Sequence, residues 1–192
     1  MTDGWSIHLA ADDTQKTIET AEAAGGRVLM PSVDIGDLGT TTMLGDPAGA
    51  GFGAWQPRTF QGFGIVAEFG APSWFELATN DYSGAVTFYR DLFRLDTNVV
   101  SEAPEFRYTT LRVGEEDVAG IMDTSMFGEG VPPRWNVYFG SAEGDATVSK
   151  VVELGGAIVR PPEDSPYGRL TEVTDPGGVA FKLVGPNEQL SA

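Results

Sequence analysis

The sequence predicts an α+β fold in which a βαβββ module occurs three times and its strands form curved mixed sheets. The first observation is an internal repeat at an offset of 130 residues: Trp5 and the glycine pair 25–26 return as Trp135 and the glycine pair 155–156. The second is the hydrophobic pattern. Apolar and polar residues alternate in short segments, and between the first two of these segments the apolar residues recur with the period of a helix. Both copies also carry an Asp-Pro turn before their last strand.

The first module is predicted as a strand over Trp5–Leu9, one helix and three further strands. Asp13 offers an N-cap oxygen at the start of the helix, which runs to about residue 24, and Gly25 suits its left-handed end. The second strand is expected near 27–30, where Pro31 should stop it. The last two strands are expected on either side of the Asp-Pro turn.

A second, more divergent module lies between the two copies. Its helix carries apolar side chains at i, i+3, i+4, i+7 and i+8, which form one face of a helix. These positions are Ala85, Phe88, Tyr89, Leu92 and Phe93. The modules are therefore predicted at about 4–57, 72–122 and 133–185.

The predicted domains follow from the linkers. Residues 1–57 form a half-domain of one module, 58–71 form a linker rich in Gly and Phe, and 72–185 form a complete domain of two modules. Residues 186–192 are a tail.

Composition excludes several function classes. The net charge of −16 opposes binding to nucleic acid. Cysteine is absent, so there is no disulfide, thiol nucleophile or zinc–thiolate site, and a single histidine cannot build a two-histidine metal site. No secretory signal is recognised, and no apolar stretch is long enough to span a membrane, so we expect a cytoplasmic protein without a membrane partner.

Several motifs of these modules resemble the vicinal oxygen chelate superfamily, which includes glyoxalase I, bleomycin-resistance proteins and extradiol dioxygenases. The resemblance covers nearly the whole chain and is closest to the tandem proteins of actinobacteria. It is carried by the segments 52–57, 74–77, 85–89, 131–135, 155–156 and 175–178. It implies a glyoxalase/bleomycin-resistance-like fold in which two modules wrap one cup-shaped sheet.

The resemblance also implies where a divalent metal ion would bind, namely to residues of the first and last strands of each module. In the complete domain these positions are Glu76, a residue near Gly120, Tyr138 and Lys182. Only Glu76 is an acceptable ligand, because neutral tyrosine binds metal poorly and a lysine ammonium has no lone pair.

In the first module His8 matches a ligand position, whereas Gly53 replaces the expected glutamate. We therefore expect no metal and no other cofactor. Instead, Glu76 and Lys182 are expected to approach each other inside the cup, where a buried ion pair would replace the metal.

A pocket for an organic molecule is the alternative to a metal site. Strand alternation places Asn136 and Tyr138 on the face opposite to the apolar residues of their strand, towards the cup. The predicted ligand-binding residues are Trp74, Glu76, Asn136, Tyr138, Lys182 and His8. A purely structural role stays open for Glu76, Tyr138, Lys182 and His8.

The predicted function is thus a small-molecule-binding protein of this superfamily, with acid–base catalysis left open. One alternative is a metal-dependent lyase or dioxygenase. The other is a drug-binding resistance protein without catalytic activity, although Lys182 would oppose a cationic drug.

An odd number of modules distinguishes this chain from the superfamily, so the first of four modules is expected to be missing. The sheet face of the first module that carries His8, Thr40, Thr42 and Trp55 then lacks its usual partner. We expect a homodimer in which the first modules of two chains cover each other's faces.

Overall fold

The computed structural model describes residues 4–128 and 131–187, and within them the three βαβββ modules are present. The first consists of β1 (His8–Ala10), α1 (Thr14–Ala23), β2 (Arg27–Ile35), β3 (Gly39–Gly45) and β4 (Gly51–Pro57). The second consists of β5 (Pro72–Thr79), α2 (Tyr82–Phe93), β6 (Asp96–Ala103), β7 (Phe106–Val113) and β8 (Glu116–Asp123). The third consists of β9 (Arg134–Gly140), α3 (Gly144–Glu153), β10 (Ala157–Ser165), β11 (Gly168–Thr174) and β12 (Ala180–Gly185).

The helix ends are fixed by the residues that the sequence indicates. The Asp13 carboxylate accepts the backbone N–H of Gln15 at 2.9 Å and that of Lys16 at 3.1 Å, which caps α1. Gly25 follows the helix with a φ of +87°, a conformation that costs glycine little. Asp81 caps α2 in the same way through the N–H of Gly84.

Strand β2 does not stop at Pro31, contrary to the sequence-based prediction. It continues to Ile35 and pairs with β3 on one side only. The register shifts twice, between Val28 and Met30 and between Met30 and Val33. An edge strand with bulges tolerates proline because the missing N–H is not needed for the ladder.

The chain divides into two compact units, and one comprises Ser6–Gly62 and Glu76–Trp135. In this unit the strands of the first module form a sheet in the order β1-β4-β3-β2, and those of the second module are arranged in the order β5-β8-β7-β6. Helix α1 contacts α2. Phe52 of β4 is fully buried and makes edge-on contacts with Phe88, Tyr89 and Phe93 of α2.

The second unit is formed by residues 4–5, 63–75 and 136–187 of the described chain. Its strands follow the order β10-β11-β12-β9, and α3 covers one face through a core of Val148, Val173 and Leu183. Trp5, which the alternation pattern assigns to a strand core, is 49% exposed. It precedes β1 and packs edge-on against Phe139 instead.

None of the described helices is long and apolar enough to cross a membrane. The predicted domain limits, with a half-domain at 1–57 and a complete domain at 72–185, stay a prediction. The tail predicted at 186–192 lies outside the described residues from 188 onward.

Candidate functional site

A cross-strand pair recurs in all three modules at the positions where the resemblance implies metal ligands. In each module the first strand runs parallel to the last, and one residue of each is directly opposite the other. The three pairs are His8 with Gly53, Glu76 with Gly120, and Tyr138 with Lys182. The structure thus fixes Gly120 as the position that the sequence located only approximately.

The first pair leaves the histidine ring over a glycine. A Cβ atom on Gly53 would come within 2.2 Å of the His8 ring, so the absent side chain makes room for the imidazole. His8 Nε2 lies 3.1 Å from Thr41 Oγ1. His8 as a whole is exposed, but partial loss of hydration lowers its pKa below the ordinary value, although a hydrogen bond with the Ser6 backbone opposes this. The neutral form of the ring therefore predominates at pH 7.

The register corrects which threonines share a face with His8. Thr41 pairs with Trp55, and Trp55 with Ala10, so Thr41 lies on the His8 side of the sheet. Thr40 and Thr42 point to the other side, contrary to the prediction. A one-residue error in strand register reverses every side chain, because strand residues alternate between faces.

The second pair combines a buried carboxylate with a tyrosine that sequence analysis missed. Glu76 is only 6% exposed, and the Tyr108 hydroxyl donates to its Oε2 at 3.3 Å. A Cβ atom on Gly120 would stand 1.9 Å from the Tyr108 hydroxyl, so glycine is needed at this position. The Tyr108 ring is stacked on Phe106. The alternation of side chains between the two faces of β7 is the sequence signal that could have identified Tyr108.

The third pair places an ammonium against a phenol. Lys182 Nζ donates to the Tyr138 hydroxyl at 2.8 Å, and the same ammonium lies 4.7 Å from the centre of the Tyr138 ring. Tyr138 is buried and Lys182 is half-buried. Of the predicted site residues, these two are the pair that the described contacts bring together.

The remaining predicted site residues, Trp74 and Asn136, are half-buried. Phe139 packs into the core beneath α3, so Tyr138 and Asn136, which are one and three positions before it in the strand, project from the opposite face of the sheet. Glu76 and Lys182 belong to different compact units, and their approach stays a prediction.

These six positions do not fit a transition-metal ion. Two of them are glycines, and the ammonium of Lys182 is a cation with no lone pair, already donating to Tyr138. Among residues 4–128 and 131–187, no three His, Asp or Glu residues are grouped to hold a metal ion. The side chains present are suited to hydrogen bonding with an organic molecule.

Strand β9, which carries Asn136 and Tyr138, is held by a buried network at its start. Trp135 Nε1 donates to the Tyr89 hydroxyl at 3.0 Å, and that hydroxyl donates to Asp46 Oδ2 at 3.1 Å. Burial raises the pKa of Asp46 from its ordinary value despite hydrogen bonds from backbone N–H groups. Burial likewise raises the pKa of Tyr89 well above its ordinary value, so the phenol stays protonated.

Comparison with known proteins identifies relatives of the whole chain. Residues 71–183 match the family model described as the Glyoxalase/Bleomycin resistance protein/Dioxygenase superfamily. The putative glyoxylase CFP32 of Mycobacterium bovis is 35% identical over 96% of this chain and 70% of its own length. The anthracycline biosynthesis protein DnrV of Streptomyces peucetius is 33% identical over 94% of this chain and 65% of its own.

Solved structures support the fold. The Mn(II)-bound glyoxalase from Novosphingobium aromaticivorans superposes with a TM-score of 0.62 at 18% identity. The match covers 94% of this chain, which spans 62% of the glyoxalase chain. At this identity the likeness concerns the arrangement of helices and strands only.

Proposed function

The chain belongs to the glyoxalase/bleomycin resistance protein/dioxygenase superfamily, and on this premise we propose that it binds a small organic molecule through its own side chains, without a resident metal ion. The proposed site is the sheet face that carries Tyr138 and Lys182. Trp74 and Asn136 belong to the same compact unit and complete it, whereas Glu76 and His8 occupy the corresponding positions of the second and first modules.

The observation that carries this proposal is the hydrogen bond between Lys182 and Tyr138. It occupies a strand pair where the resemblance implies metal ligands, and it puts a positive charge there. A metal dication would be repelled by that charge, whereas a ligand oxygen would be attracted. The site therefore substitutes an ammonium and a phenol for the Lewis acid of the metal-dependent members.

Acid–base catalysis is within the reach of this pair. The ammonium of Lys182 donates to the phenol oxygen of Tyr138, so it can stabilise negative charge that develops on that oxygen. Tyr138 can then transfer a proton to or from a bound ligand while Lys182 stabilises the charge that develops. This mechanism uses no residue of the first module.

A second candidate, a binding protein without catalytic activity in the metabolism of aromatic natural products, is favoured by the name of DnrV. The half-buried ring of Phe106, which is stacked on the buried ring of Tyr108, is the kind of surface on which a planar aromatic ligand rests. Stabilisation by an anthracycline without turnover would support this candidate, and turnover of any ligand would favour the acid–base enzyme.

Metal analysis tests the proposal directly. Protein purified without a metal-affinity resin is expected to contain far less than one transition-metal ion per chain. Stabilisation by its ligands in a thermal-shift screen should also survive treatment with a chelator. A stoichiometric metal ion, or ligand binding that the chelator abolishes, would contradict the proposal.

We also propose that a second copy of the chain covers the His8 face of the first module. Support comes from the side chains on this face, where Met43 and Trp55 are half-buried and Val33 is 41% exposed. Trp55→Glu should shift sedimentation from dimer to monomer, whereas Phe60→Ala, which removes only the ring against Trp55, should not. A wild-type monomer would refute the dimer.

A further inference from the structure

A row of four polar side chains crosses the sheet of the third module. Tyr138 on β9 is directly opposite Lys182 on β12, Lys182 is opposite Glu172 on β11, and Glu172 is opposite Arg160 on β10. Directly paired residues project from the same face of a sheet. The residues that follow Tyr138, Lys182 and Glu172 pack beneath α3, so these three side chains lie on the face away from the helix.

The hydrogen bond in this row has a defined direction. An ammonium has three donors and no acceptor, so Lys182 donates and the Tyr138 oxygen accepts. The phenol hydrogen must therefore be directed away from Lys182. Two donor groups thus stand side by side, with their heavy atoms 2.8 Å apart.

Lys182 differs from the other two lysines of the chain, Lys16 and Lys150, which are exposed. A half-buried ammonium loses hydration, and a nearby negative charge offsets that loss. Glu172, which is 7% exposed, supplies a carboxylate directly across the strand pair, on the side away from Tyr138. Arg160 of β10 is the residue opposite Glu172 on its other flank.

From this geometry, and on the basis of the proposed function, we infer that the site takes an organic acid and that Glu172 is a positioning residue for Lys182. Lys182 and Tyr138 bind the ionised oxygen of the ligand, whether carboxylate, phenolate or enolate. Charge-assisted hydrogen bonds of this kind are about twice as strong as neutral ones. Glu172 acts indirectly, since its carboxylate is directly across the strand pair from Lys182 and attracts the ammonium that contacts Tyr138.

Matched pairs of ligands test the inference, because the physiological ligand is unidentified. The probes are aromatic carboxylates and their neutral primary amides, such as 2-naphthoate and 2-naphthamide, with affinities measured by ligand-observed NMR. The wild-type protein is expected to bind the acids about tenfold more tightly than the amides. Equal binding of acids and amides, or no binding of any acid, would overturn the inference.

Variants separate the two roles. Lys182→Met should abolish the preference for acids, and Glu172→Gln should reduce it about three- to tenfold, whereas Glu172→Asp, which keeps the charge, should restore most of it. Lys150→Met, on the exposed face of α3, is the matched control. A Glu172→Gln variant with the wild-type preference would remove Glu172 from the site. Should Lys182→Met not fold, the wild-type ratio still decides the ligand class.

Ligand binding in the presence of a chelator distinguishes a failure of this inference from a failure of the proposed function. A preference for amides over acids that persists in chelator would refute the acid-binding site but leave a metal-free binding protein. Ligand binding lost in chelator would refute the proposed function itself.

Discussion

The first and third modules share a backbone but not a core. Both bulges of β2 recur in β10 at an offset of 130 residues, between Ile158 and Arg160 and between Arg160 and Glu163. The glycine after the helix has a φ of +87° at Gly25 and +93° at Gly155. Bulges, caps and turns are therefore retained from the common sequence pattern.

The interiors differ because the two modules have different neighbours. Phe52 is fully buried under α2, whereas its counterpart Phe181 is half-buried and contacts Phe139 and Trp5. Asp46 likewise is 3% exposed, and its counterpart Asp175 is half-buried. Local sequence thus specifies the module, and the element packed against it specifies how deeply each side chain is buried.

The largest expected effect separates the two Asp-Pro turns. Asp46→Ala would leave the Ala50 N–H and the Tyr89 hydroxyl without this acceptor in a buried site, and Gly49 N–H would keep only the backbone carbonyl of residue 46, at a cost of about 3–5 kcal/mol. Asp175→Ala removes one hydrogen bond, from Val179 N–H at 2.9 Å, at a half-buried position and should cost about 1 kcal/mol. Urea unfolding of both variants measures the difference, and equal losses would contradict the comparison.

The next largest effect on stability compares a lysine on the sheet of the third module, Lys182, with a lysine on its helix, Lys150. Lys182→Met should destabilise by about 2–4 kcal/mol, because it strands the buried carboxylate of Glu172. Lys150→Met breaks only the exposed ion pair with Glu153 and should cost about 0.5 kcal/mol or less. Thermal melts of the two variants give the comparison. The same melting temperature for both would show that Lys182 is not held by a buried partner.

The repeated backbone could be predicted from the sequence because its signals are local. Helix caps, glycines with positive φ and alternating apolar residues each act within a few positions, and they define the modules. The edge bulges could not be predicted, since Pro31 stops a strand only if its N–H would have had a partner. Which strand lies at an edge is decided by the whole sheet.

The candidate site was predicted in part for the same reason. The resemblance identified Tyr138 and Lys182 as site positions, whereas the strand register shows that they are opposite each other; that they bind a ligand stays a prediction. Tyr108 and Glu172 were not identified, because the residue opposite each of them depends on the register with the neighbouring strand. Asp46 resembled an ordinary turn residue, and only the packing of α2 shows that it is buried.

A smaller effect should distinguish the two glycines opposite first-strand residues. Gly120→Ala forces the Tyr108 hydroxyl away from Glu76, and Tyr108 is buried and stacked, so we expect a loss of about 2–3 kcal/mol. Gly53→Ala displaces the His8 ring, which can rotate because His8 is exposed, and should cost about 1 kcal/mol. Chemical unfolding measures both. A costlier Gly53→Ala would mean that His8 is fixed by something beyond Thr41.

The smallest expected effect is the pH dependence that Asp46 contributes. Burial raises its pKa in the folded protein, so the native state binds the proton more tightly than the unfolded state does. Its contribution to the free energy of unfolding is therefore complete below the unfolded pKa and is lost as the pH rises through the folded pKa. Asp46→Asn removes this contribution and keeps the other carboxylates, so their titration cancels in the difference between the two proteins. The destabilisation by Asp46→Asn should accordingly be larger at pH 5 than at pH 7.5, by up to about 1 kcal/mol in urea unfolding. A destabilisation that is larger at pH 7.5 would indicate that the hydrogen bonds to Asp46 outweigh its burial, so that the folded pKa is lowered instead.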